Sequence, residues 1–188
     1  MTKTTKDIAA SFRARLLNIA RSTKRDFDAL LLQYIQERFL YRLSISPYRK
    51  NIILKGALLF LAYKILLQRP TKDIDFLGFS TPNEINEIRN MVVAIAGIDL
   101  DDGVKFDRES VIAEWITEDN DYKGVRVKFE ARLTAARKIL QLDILVIQLC
   151  PDLWQWTSQH CWIISLHQTC WYIPENQPLQ KNLKHWSL

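Results

Sequence analysis

The spacing of apolar residues changes period along this chain, and that change restricts the fold more than any other feature. Ile8 to Ile19 and Phe27 to Leu43 carry apolar side chains at helical spacing, with Arg, Lys, Asp and Glu on the other face. Ile52-Ile53-Leu54 reads as a short buried strand, and Ala57 to Leu67 as an almost wholly apolar helix starting at Gly56. Asp73 to Leu77 reads as the next strand. Thr81 as N-cap and Pro82 as first helical residue then open a helix that runs to about Ala96. Beyond Asp99-Leu100-Asp101-Asp102-Gly103, which reads as a solvated turn, the period becomes two. Val111 to Thr117, Val125 to Leu133 and Ile139 to Ile147 are strand candidates, and Lys123-Gly124 is a turn entering the second. Helices first and a hairpin-rich sheet afterwards predict an α+β domain.

A chain of 188 residues suffices for one domain with a real core. The net charge of +5 permits a nucleotide or nucleic-acid partner without demonstrating one. The first ten residues are polar and charged, and no apolar run reaches the roughly 18–20 residues of a membrane span, so no membrane association is expected. Three cysteines and no export signal predict a reducing, cytoplasmic location.

Asp73-Ile74-Asp75 is the segment with the most chemistry. Two carboxylates two residues apart on a strand project from one face, and their repulsion calls for a positive charge between them. Mg²⁺ commonly takes one or two carboxylates together with substrate phosphates, so the pattern suggests phosphate chemistry. A third acid, Asp143, lies in the apolar run Leu140-Gln141-Leu142-Asp143-Ile144-Leu145, where burial is costly unless the acid is paired or metal-bound. If its strand lies beside Asp73–Asp75, three carboxylates converge at one end of the sheet and can hold two Mg²⁺ ions. A strand-end position, or an ion pair with an Arg such as Arg126, would explain Asp143 equally well. Lys55 and Gly56 stand at a helix start, where free N–H groups favour phosphate, and Arg69 precedes Asp73 by four residues. Taken singly, each of these also reads as an ordinary solvated junction. Asp26 and Asp28 share the i, i+2 spacing but sit at a helix start, where acids complement the dipole. The spacing of His160, Cys161, His167 and Cys170 matches no zinc pattern.

Lys55-Gly56-Ala57-Leu58-Leu59-Phe60 followed by Arg69-Pro70-Thr71-Lys72-Asp73-Ile74-Asp75-Phe76-Leu77-Gly78 resembles the AbiEii/AbiGii nucleotidyltransferase toxin family, within the polymerase-β-like nucleotidyltransferase superfamily. Ala57 stands where a second Gly is commoner. The resemblance covers nearly all of residues 8–144. It implies a polymerase-β-like core, a mixed sheet with N-terminal helices. It also implies that Asp73, Asp75 and Asp143 bind the catalytic Mg²⁺, and that Lys55, Gly56, Arg69 and Thr71 contact nucleotide phosphates. The implied reaction transfers a nucleotide from an NTP to an acceptor such as tRNA. The implied partner is the cognate antitoxin of a type IV toxin–antitoxin or abortive-infection system. A non-catalytic remnant that binds nucleotide or antitoxin is the alternative.

The resemblance stops after Asp143-Ile144, and the composition changes with it. All three cysteines, all three histidines and five of the six tryptophans lie in residues 149–188, where only Asp152, Glu175, Lys181 and Lys184 carry formal charge. Reading permitted codons for Asp152 to Trp162 one nucleotide earlier gives P-V-A-M-D-I-P-T-L-L-D, and Ile173 to Trp186 gives P-R-E-S-A-V-A-E-K-F-E-A-L. Both follow segments that the family carries after its third acid, in the correct order. The division is therefore a nucleotidyltransferase core over residues 1–148 and an irregular, out-of-frame tail over 149–188. That tail replaces the family's C-terminal helical part, and impaired activity is expected.

Overall fold

A computed structural model of the chain describes residues 7–58, 71–78, 84–116 and 124–146. Helix α1, Ile8–Thr23, starts where the Asp7 carboxylate accepts the Ala10 N–H at 3.0 Å; α2, Phe27–Ile45, starts in the same way from Asp26 to Ala29 at 2.8 Å. Each cap satisfies one of the N–H groups that a helix start leaves without a partner. Lys24, in the left-handed region at φ 56°, ends α1. A 3-10 turn over Pro47–Lys50 delivers the chain to β1, Ile52–Lys55. Then come β2 (Asp73–Gly78), α3 (Ile85–Ala96), β3 (Val104–Phe106), β4 (Ile112–Ile116), β5 (Gly124–Leu133) and β6 (Ala136–Val146).

These strands form one mixed sheet in the order β1-β2-β6-β5-β3, with β4 also paired to β5. β2 and β6 run parallel, and every other pairing is antiparallel. β5 and β6 form a hairpin closed by the two residues Thr134 and Ala135. Alternation then sorts the sheet into two faces. Ile74 and Phe76 of β2, Val125, Val127 and Phe129 of β5, and Leu140, Leu142 and Ile144 of β6 are buried together with α2 and α3. Phe39 of α2 joins Phe106 and Phe129 in an aromatic cluster with ring centroids 5.5–5.9 Å apart. The other face carries Asp73, Asp75, Asp143, Arg126 and Lys128, and none of the three described helices lies across these residues. The α+β class predicted from the period change, and the mixed sheet with N-terminal helices that the family resemblance implies, are the fold observed.

Several local readings need correction. α2 is not simply amphipathic, because Arg38 and Arg42 are both buried. The 99–103 turn is not fully solvated either: Asp102 is only 5% exposed and Arg42 2%. All five guanidinium donors of Arg42 are used. Two reach the Asp102 carboxylate at 2.6 and 3.1 Å, and the rest reach the carbonyls of Arg38, Ile98 and Val104. Asp102 Oδ1 also accepts the Val104 N–H, and its carbonyl accepts the Tyr34 hydroxyl. An acid in a polar turn is legible in sequence, but its partner sixty residues away is not. Glu84 is extended and α3 begins at Ile85; the expected start at Thr81-Pro82 lies outside the described residues. Strand β3 was not anticipated, since three residues are too short to show a period. Of the apolar helix expected to begin at Gly56, Ala57 and Leu58 are helical and the rest lies outside the described residues, as do Lys123 and the tail.

Removing one partner of a buried ion pair leaves the other charge unpaired, at a cost of about 3–5 kcal/mol. Asp102→Ala should therefore lower the unfolding free energy by about that amount in urea titrations. The double variant Arg42→Met/Asp102→Leu should recover most of the loss, because no charge is then left buried.

Candidate active site

The second face of the sheet is built from side chains that alternate with core residues along each strand. In β2 the core takes Ile74, Phe76 and Gly78, which leaves Asp73, Asp75 and Leu77 pointing the other way. In β6 the core takes Leu140, Leu142 and Ile144, which leaves Gln141, Asp143 and Leu145. The parallel register sets Asp73 beside Gln141 and Asp75 beside Asp143. Antiparallel pairing extends this second row outward, with Lys55 beside Asp75, Arg126 beside Asp143, and Glu114 beside Arg126. The row thus reads Lys55, Asp75, Asp143, Arg126, Glu114 across β1, β2, β6, β5 and β4, one strand spacing of about 4.8 Å at each step. Cations flank the two central acids.

Each acid on this face has its own environment. Asp75 is pushed above its ordinary pKa of 3.8, first by burial and next by repulsion from Asp73; Asp143 adds to the rise, and the Lys55 charge opposes it. Arg126 grips Asp143 with two hydrogen bonds, from Nε to Oδ1 at 2.9 Å and from Nη2 to Oδ2 at 2.8 Å. Asp73 Oδ1 accepts the Thr71 hydroxyl at 3.0 Å, and Gln36 of α2 donates to the Thr71 carbonyl at 3.3 Å. Lys128, by hydrogen bond and charge, holds Glu114 below the usual carboxylate range, so Glu114 is ionised.

Gly56 follows β1 with φ 72°, a conformation that favours glycine. A Cβ there would lie 2.1 Å from Asp75 Oδ2, so the bare backbone at this position admits the Asp75 carboxylate. Whatever it offers to a phosphate, Gly56 is first a requirement of Asp75.

Of the residues singled out in sequence, Lys55, Gly56, Asp73, Asp75 and Asp143 therefore share one region, with Thr71 at the entry to β2. Arg69 lies outside the described residues. Asp143 forms the ion pair with Arg126 that was one of its sequence readings, and its strand lies beside that of Asp73 and Asp75, the placement on which the other reading depends. Sequence reasoning missed Gln36, Gln141 and Glu114. Gln36 is almost wholly buried, and a lone amide among the apolar positions of α2 was its only signal.

The hard oxygen donors of Asp73, Asp75 and Asp143, coupled in charge and on one face, suit Mg²⁺ by chemistry. Among the described residues, however, no three acids, histidines or cysteines are gathered tightly enough to hold an ion, and Asp143 is turned to Arg126. No described helix is long and apolar enough to cross a membrane.

The D-x-D strand of this mixed sheet thus runs parallel to the strand that bears the third acid. The model of the nucleotidyl transferase AbiEii toxin family, type IV toxin–antitoxin system, matches residues 38–154, and the chain belongs to that family. Two crystal structures from Helicobacter pylori are similar to it. One, of JHP933, is 21% identical with a TM-score of 0.42, covering 68% of this chain and 48% of the other. The second, assigned as a nucleotidyltransferase, is 18% identical with a TM-score of 0.41, covering 68% and 49%. The chain thus spans about half the length of these structures. No curated protein matches it.

The raised pKa of Asp75 fixes the sign of a stability change. The folded state binds this proton more tightly than the unfolded chain, so stability is lost as pH rises from 3.8 through the raised folded value. Asp75→Asn should remove that dependence and raise the melting temperature at pH 7. Thermal melts of both proteins between pH 4 and 7 check it, and a lower melting temperature for the variant would contradict the assignment.

Proposed function

We propose that this chain carries the nucleotidyl-transfer site of a type IV toxin: Mg²⁺-dependent transfer of a nucleotide from an NTP to an acceptor such as tRNA, in the cytoplasm, restrained by a cognate antitoxin. The observation that carries this reading is the register of β2 and β6, which sets Asp75 beside Asp143 with Asp73 on the same face. In this reading Asp73, Asp75 and Asp143 hold the metal, which supplies charge stabilisation to the transferring phosphoryl group when bound. Lys55, the Gly56 backbone, Thr71 and Arg69 hold the nucleotide phosphates, by charge or by N–H and O–H donation. Lys55 is the cross-strand neighbour of Asp75, which supports a role for its charge beside the carboxylates.

The division at residue 148 belongs to the same proposal. An out-of-frame segment over 149–188 is supported by its composition and by the two family segments in the shifted frame, and it implies reduced turnover. The nucleotide sequence checks it directly: a shifted frame that does not encode the family's C-terminal helices sinks the idea.

The activity is tested with α-labelled NTPs, Mg²⁺ and total tRNA, using this chain and a version with the frame restored. Label should enter tRNA faster with the restored frame. Asp73→Ala and Asp75→Ala should each lower the rate about 100-fold or more, the scale of losing a metal's charge stabilisation. Labelling that survives both substitutions would rule out the assignment of these carboxylates.

A further inference from the structure

Arg126 occupies both oxygens of an acid that the row would need for a cation. Its Nε and Nη2 meet Oδ1 and Oδ2 of Asp143 in a two-pronged grip, with Gln141 Nε2 at 3.3 and 3.5 Å from the same two atoms. A guanidinium fork of this kind takes one lone pair on each carboxylate oxygen, two of the roughly four sites at which a hard cation could bind. The pair is not sealed in the core, since the Arg126 side chain is 29% exposed and that of Asp143 16%. Separating the two is therefore far less costly than breaking Arg42 from Asp102. An alternative partner stands on the other side of Arg126. Glu114, its neighbour in the β4–β5 register, is exposed and ionised; it accepts a hydrogen bond from Lys128, and the charge of Arg126 already acts on it.

We propose that Arg126 is a displaceable counter-cation. It neutralises Asp143 while no divalent cation is bound, and it yields at least one carboxylate oxygen, shifting toward Glu114, when a divalent cation enters the row. This inference rests on the reading of Asp73, Asp75 and Asp143 as a divalent-cation site. Arg126 then acts through Asp143 as a positioning residue with two effects. It stabilises the cation-free row, where three like charges would otherwise repel, and it sets cation affinity by competing for the same oxygens. Lysine at this position would keep the charge but lose the fork.

The test measures Mn²⁺ binding by titration calorimetry, without nucleotide, on the 188-residue chain and on Arg126→Gln, Arg126→Lys and Asp75→Asn. Melting temperatures are recorded in chelator and in Mn²⁺. Arg126→Gln should bind Mn²⁺ about tenfold more tightly, the scale of one lost charge-assisted hydrogen bond, and Arg126→Lys should fall between it and the parent. In chelator Arg126→Gln should melt below the parent, and Mn²⁺ should raise its melting temperature by more than it raises the parent's. Equal or weaker binding by Arg126→Gln, with binding abolished by Asp75→Asn, would overturn the proposal and leave the cation site standing. Binding untouched by Asp75→Asn would overturn the site and the proposal together. If Arg126→Gln does not fold, Arg126→Lys decides: tighter binding than the parent supports displacement, and equal or weaker binding refutes it.

Discussion

Arg42 and Asp102 form the interaction on which the remaining structure depends. The charges of both are removed from water, a step that Coulomb attraction alone does not offset. The compensation comes from completeness, since every donor of the guanidinium has an acceptor and Asp102 binds two further groups. Those acceptors come from α2 itself and from the stretch between Ile98 and Val104. The arginine therefore fixes the central helix to the segment that leads into the sheet's outer strand. Pinned there, α2 supports β2 through Gln36, whose amide holds Thr71, whose hydroxyl in turn holds Asp73. One buried pair and one buried amide thus link the far edge of the sheet to its carboxylates.

How much of this could be read beforehand follows from the range of each interaction. Periodicity is local, so the long helices and the strands over Asp73–Gly78, Gly124–Leu133 and Ala136–Val146 were legible, give or take their ends. β3 was too short for a pattern. The burial of Arg42 and Asp102 was invisible because each looks solvated until the other is placed beside it. The two acids of β2 declared a shared face through their spacing alone. Asp143 announced itself only as an acid in an apolar strand, and sequence could not choose between a cation and Arg126 as its explanation. The register sets Asp75 on one side of Asp143 and Arg126 on the other. Gly56 was legible as a special position, but the close approach it permits is to Asp75, a residue of the chain itself.

The carboxylate row illustrates a conflict between stability and chemistry. Burial and like charges raise the pKa of Asp75, so at neutral pH the fold carries a repulsion that an amide would not. The flanking Lys55 and Arg126 reduce that repulsion without abolishing it. Strain of this kind at one place, against complete satisfaction around Arg42, is the distribution expected when a site is built for an added charge and the scaffold is not.

The parallel pairing of β2 with β6 has a consequence for the order in which the molecule becomes complete. A chain leaving the ribosome exposes Asp73 and Asp75 long before Asp143 has been made. Their neighbour arrives on the last described strand, after the tight Thr134-Ala135 turn has folded it back along β5. Because that pairing spans so much sequence, it forms late relative to the local helices and the hairpin. A nascent or prematurely terminated chain that ends before β6 has two acids and no third. The topology therefore delays assembly of the carboxylate row until the fold around it is nearly finished.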